Sequence, residues 1–191
     1  MKRVGLVVLA VALLGAGFAA GFGLKQESVP SENSAEVGFA RDMSMHHLQA
    51  VEMATLLYDR TDDELLRFLA YDILTTQQAQ IGMMRGWLDL WQYSPNSSEP
   101  AMAWMGMPTD GMMPGMATSD EIRQLRDMSG REAEIQFMQL MIPHHESGVM
   151  MANAAFARAE EQAVKTLALK MAQAQASEIE YMNSWLAENG N

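Results

Sequence analysis

The histidines of this chain occur as two adjacent pairs, His46-His47 and His144-His145, and each pair sits among methionines at matching distances. Met43 precedes the first pair by three and four residues and Met53 follows His46 by seven; Met141 and Met151 stand in the same relation to the second pair. On a helix such spacings share a face, so one methionine can neighbour both members of a pair although adjacent histidines point about 100° apart. Imidazole nitrogen suits copper, zinc, iron and nickel, whereas thioether sulfur favours Cu(I) and does little for zinc, calcium or magnesium. The combination points to a copper ion bound by Met43, His46, His47, Met53, Met141, His144, His145 and Met151. The alternative is a set of satisfied core histidines with methionine as flexible filler. Which imidazole of each pair points inward is not encoded in the spacing.

Cysteine is absent from the 191 residues, which excludes disulfides, thiolate zinc sites and iron–sulfur clusters, so any soft sulfur ligand is one of the 19 methionines. Met102, Met105, Met107, Met112, Met113 and Met116 crowd with Trp104 into a Pro- and Gly-rich connection over 92–118, too long for a turn and too broken for a helix. A segment without a regular face cannot bury all of them. Mobile thioethers are expected there, able to capture Cu(I) or to serve as an adaptable contact surface for a partner protein. Gln77 and Gln175 fall on apolar stripes, where a buried amide must be bonded; each either orients a ligating histidine or is satisfied by backbone or water. Met84, Met182, Trp87 and Trp185 read as core. Acidic residues outnumber basic ones 24 to 13, for a net charge of −11 without a basic stripe, which excludes nucleic acid as a partner.

The elements that must position these residues emerge from a gapless internal repeat: residues 37–90 align with 135–188 at a constant offset of 98. Phe39, Met43, His46, His47, Val51, Met53 and Ala54 recur as Phe137, Met141, His144, His145, Val149, Met151 and Ala152. Leu69, Ala70, Gln77, Ile81, Met84, Trp87 and Leu88 recur as Leu167, Ala168, Gln175, Ile179, Met182, Trp185 and Leu186. Within each copy the apolar residues step by three and four, the period of two amphipathic helices. Two αα-hairpins with one apolar face each bury those faces only against each other, so the expected fold is all-α, a four-helix bundle over 35–191. Capping-box spacing at Asn33, Thr61, Thr118 and Ser129 marks the helix starts, and a short extra helix is expected over 119–127. Pro143, directly before the second pair, predicts a kink or break, since it removes a helix bond at a cost of about 3 kcal/mol.

In front of the bundle, Met1-Lys2-Arg3 leads into an apolar run ending at Leu24, followed by a polar linker over 25–34. Residues 1–24 read as a signal peptide or an uncleaved transmembrane anchor; Ala19-Ala20-Gly21 resembles a processing site. In both cases the rest of the chain lies outside the cytoplasmic membrane, in a periplasmic, cell-surface or secreted position.

At these residues the sequence resembles the bacterial family known as domain of unknown function 305. "FARDMSMHHLQAVEMA" over 39–54 and "FMQLMIPHHESGVMMA" over 137–152 look like its two copy signatures. "QAQIGMMRGWL" over 78–88 and "AQASEIEYMNSWL" over 174–186 are similar to its paired Gln and Trp-Leu segments. The resemblance implies a ferritin-like bundle, export, and copper or silver handling by methionine and histidine. It departs at Leu140, which stands where the first copy has Asp42, so an acidic contribution is available only once. The leading reading is a non-enzymatic copper-binding or copper-buffering protein. One rival is an interaction module using the Met-rich connection. The other is a ferritin-like oxidase, which wants Glu-x-x-His motifs that this sequence lacks. Cell fractionation of a tagged full chain is expected to find it outside the cytoplasm, and a soluble cytoplasmic product would remove the basis for export.

Overall fold

The computed structural model describes residues 29–190. The expected signal or anchor over 1–24, and the first four residues of the 25–34 linker, lie outside the described residues. The protein is all-helical: α1 (Ala35–Arg60), α2 (Glu64–Leu90), a 3-10 turn (Ala103–Met105), α3 (Ser119–Asp127), α4 (Gly130–Arg158) and α5 (Gln162–Asn189). Among the described residues the only strand-like pairing is an isolated bridge between Ala101 and Thr109. No described helix is long and apolar enough to cross a membrane.

The repeat offset carries into the fold, because the turn at 61–63 that joins α1 to α2 recurs as the turn at 159–161 joining α4 to α5. Each hairpin packs closely on itself, and the two hairpins meet mainly through α1 and α4. The expected helix starts are partly displaced. Ser34 rather than Asn33 caps α1, its hydroxyl accepting from the Val37 N–H, and Asp63 rather than Thr61 caps α2 by accepting from Leu65 and Leu66. Thr118 and Glu121 form the full reciprocal capping box of α3, while Ser129 precedes α4 without a side-chain bond. Thr61 is displaced from its expected role because its hydroxyl is taken by another element: it donates to Glu134 at 2.6 Å.

That bond has a counterpart across the repeat. Glu36 and Glu134 stand 98 residues apart, one residue before the aligned segments. Each lies in the first part of one hairpin's leading helix and reaches the turn of the other hairpin. Glu134 accepts from Thr61, and Glu36 accepts from the backbone N–H groups of Glu160 and Glu161. Burial alone would raise the Glu36 carboxyl, but these backbone donors outweigh it and hold it below the ordinary carboxylate range. The two carboxylates thus fix how the hairpins are set against each other.

Pro143 does not break its helix. α4 runs on through it from Gly130 to Arg158, with Met141 and His144 buried on either side. Packing on the flanking turns outweighs the lost backbone bond, which the sequence pattern alone cannot anticipate. Replacing Glu134 with Ala is expected to lower stability by about 1–3 kcal/mol, because the buried Thr61 hydroxyl loses its acceptor. Thermal or urea unfolding of wild type and variant measures the difference.

Candidate metal centre

Both histidine pairs sit near the middle of the leading helices, His46 and His47 on α1 and His144 and His145 on α4, and all four rings are buried. The core shows that α1 and α4 run antiparallel and cross at this level. Val37, Ala40 and Met43 from the start of α1 share one apolar cluster with Met151, Ala152 and Ala155 from the end of α4. Ala50, Met53 and Leu57 share the other cluster with Ala133, Phe137 and Met141. The crossing brings the two pairs together as a cluster of four rings. Centroids of His47 and His46 are 6.4 Å apart, those of His46 and His144 3.7 Å, and those of His144 and His145 6.2 Å.

Two of the four rings have partners. Gln80 Oε1 lies 2.8 Å from His47 Nε2, and Glu178 Oε2 lies 2.6 Å from His145 Nε2. Every other ring nitrogen, both on His46, both on His144 and Nδ1 on His47 and His145, is buried without a hydrogen-bond partner. Burial lowers the His46 and His144 pKa values well below the ordinary histidine range, and the neighbouring imidazoles push in the same direction. His47 is lowered to about 3, burial again outweighing the Gln80 bond. His46, His47 and His144 are therefore neutral at physiological pH, the form in which imidazole ligates a metal.

The predicted methionines are all buried, and the crossing sorts them into two groups. Met43 and Met84 of the first copy join Met151 of the second, while Met141 and Met182 of the second join Met53 of the first. The Met-rich connection does not bury all six of its methionines, as expected, but the expectation that they stay mobile is corrected for half of them. Met102, Met105 and Met113 are buried in the same cluster as Met43, Met84 and Met151; Met116 is half-buried, and only Met107 and Met112 are exposed.

The physical reason is a set of anchors invisible to local patterning. Asp42 accepts from the Met102 N–H at 2.7 Å and from Trp104 Nε1 at 2.8 Å, which holds Met102 in a left-handed conformation. Gln49 pairs its whole amide with the Ala117 backbone, donating at 2.8 Å and accepting at 2.7 Å. Gly115, at φ +76°, presses against the Pro143 carbonyl so closely that a side chain there would collide. Asp42, the residue without a counterpart at Leu140, thus belongs to the fastening of the connection.

Gln77 and Gln175 are buried, but each Oε1 lacks a partner and neither residue bonds a histidine. The histidine partners are instead Gln80 and Glu178, three residues farther along α2 and α5. They are 98 residues apart, so the repeat carried the signal; comparison by identity passes over it because one copy has an amide and the other a carboxylate. Among the described residues no three His, Cys, Asp or Glu side chains converge as a ready-made metal shell. The buried donors at this level are unpartnered imidazole nitrogens, with methionine sulfur in the apolar cluster to either side.

Residues 36–186 match the family model described as Domain of unknown function (DUF305). The chain belongs to this family. Its fold is similar to that of a DUF305 protein from Streptomyces coelicolor, provisionally described as secreted, with 51% identity, a TM-score of 0.80, and coverage of 84% of this chain and 96% of that one. A DUF305 fragment from Deinococcus radiodurans is 31% identical at a TM-score of 0.67, covering 81% of this chain and 96% of that one. CopM in its Cu(II)-bound form is 28% identical at a TM-score of 0.64, covering 81% and 97%. Among curated proteins none matches significantly.

The buried neutral histidines set a pH dependence. His47 has a lower pKa folded than unfolded, so below about 6.5 the unfolded state binds more protons and stability falls as pH drops toward 3. His46 and His144 act in the same direction. Between pH 7.5 and pH 5 the metal-free protein is expected to lose about 2 kcal/mol from His47 alone, read as a drop in melting temperature.

Proposed function

We propose that this DUF305 protein binds copper, Cu(I) above all and Ag(I) by the same chemistry, as a non-enzymatic buffering or resistance protein outside the cytoplasmic membrane. The scaffold in this reading is a ferritin-like four-helix bundle made by duplication of one hairpin. The observation that carries it is the cluster of four buried imidazoles, in which six ring nitrogens have no protein partner. In a dry core each unsatisfied polar group costs about 1–3 kcal/mol, so four histidines are poor filler where leucine would serve. As ligands their lone pairs have a use, and methionine clusters on both sides of the four rings supply soft sulfur.

CopM, 28% identical and solved with Cu(II) bound, supports copper as the cargo. The Streptomyces coelicolor relative's provisional description as secreted supports export. His46, His47, His144 and His145 would ligate, with Met43 and Met151 contributing on one side and Met53 and Met141 on the other. Met102, Met105 and Met113 add thioethers to the first side alone, which makes it the softer of the two. The interaction-module reading is left with Met107 and Met112 as exposed thioethers on the connection.

Anaerobic competition of the full chain against a Cu(I) chelator is expected to show much tighter binding of Cu(I) than of Zn(II), because thioether contributes to the first ion and hardly to the second. Replacing all four histidines with Gln should weaken copper binding by tenfold or more, on the order expected for loss of ligating groups. Zinc binding as tight as copper would confine ligation to imidazole, and an unchanged affinity in the His variant would remove the four rings from the site.

A further inference from the structure

The partners of His47 and His145 have a consequence for which nitrogen can reach a metal. A neutral imidazole carries its single proton on one ring nitrogen and a lone pair on the other, and the hydrogen bond made by one nitrogen decides the role of the second. Glu178 is a carboxylate and only accepts, so the His145 nitrogen 2.6 Å from it, Nε2, carries the proton. At the equivalent position Gln80 presents its amide oxygen, also an acceptor, 2.8 Å from His47 Nε2. Both rings thus meet the same kind of acceptor at Nε2, from residues 33 positions later in each copy. In both, Nδ1 is buried without a partner.

We propose that Gln80 and Glu178 are positioning residues that fix His47 and His145 as Nε2–H tautomers and so commit Nδ1 of each ring to soft-metal ligation. The proposal rests on the copper reading above and deepens it. His46 and His144, whose four ring nitrogens all lack partners, are not preset in this way; their ring centroids lie 3.7 Å apart with the planes tilted by 31°, and they can adopt either tautomer as an ion binds. The two preset rings also differ. Glu178 adds a full negative charge behind His145, whereas Gln80 adds only a dipole behind His47. A carboxylate behind a ligating imidazole raises its basicity, so the ligand pair is unequal although the ring geometry is duplicated.

The test reads tautomers directly. Long-range proton–nitrogen correlation on the metal-free full chain with nitrogen-15-labelled histidine is expected to show His47 and His145 as Nε2–H. In Glu178→Gln, which restores the arrangement of the first copy, His145 keeps its tautomer and Cu(I) affinity stays within about threefold. In Glu178→Leu the acceptor is lost, His145 populates both tautomers, and Cu(I) affinity falls about tenfold or more. Gln80→Leu does the same to His47. An Nδ1–H tautomer at either ring in the wild-type chain overturns the proposal without any variant having to fold. Wild-type Cu(I) affinity in folded Glu178→Leu overturns it as well. A wild-type chain with both expected tautomers and no Cu(I) binding sinks the copper reading while leaving the positioning roles supported.

Discussion

The antiparallel crossing of α1 and α4 at His46 and His144 is the constraint on which the rest of the structure depends. At that level the two helices bring imidazole rings within 3.7 Å of each other, with the remaining two histidines beside them. Apolar packing on both sides excludes water and keeps His46, His47 and His144 neutral. Small residues make the approach feasible: Ala40, Ala50 and Ala54 on α1 and Ala133, Ala152 and Ala155 on α4 are all buried. The glutamates at Glu36 and Glu134 lock the hairpins in this setting by gripping each other's turns, so the site and the hairpin interface are one feature.

Duplication supplied the geometry, and divergence made its halves unequal. The histidine pairs and their acceptors repeat at a constant offset, but Gln80 corresponds to Glu178, Asp42 to Leu140 and Met45 to Pro143. Asp42 is the change with the largest structural reach. By accepting from Met102 and Trp104 it folds the connection down onto the first methionine cluster, while the second cluster is covered by Ala117 and by Ile122 and Leu125 of α3, which bring no methionine. Its carboxyl is raised by burial, a cost offset in part by the two donors it holds, so the fastening draws on a charged group removed from water. One end of the molecule is therefore dense in buried thioether and the other is an ordinary apolar core with fewer methionines.

Much of this was legible in the chain before any coordinates. The three-and-four spacing of apolar residues, the offset of 98 and the paired His-His segments determined helices, hairpins and the residues that meet at the centre. Periodicity reports local facing, and two copies of one face can bury themselves only against each other. What only the tertiary structure decided are the contacts between residues far apart in sequence. Local patterning did not reveal that Thr61 leaves its capping role for Glu134, that α4 continues through Pro143, or that a Pro- and Gly-rich segment buries half its methionines because Asp42 and Gln49 hold its backbone. Nor did it single out Gln80 and Glu178 over Gln77 and Gln175 as the histidine partners. Residues three apart on a helix share a face, and which of them reaches a ring on the neighbouring helix is set by how the two helices cross, a distance that one-dimensional spacing does not contain.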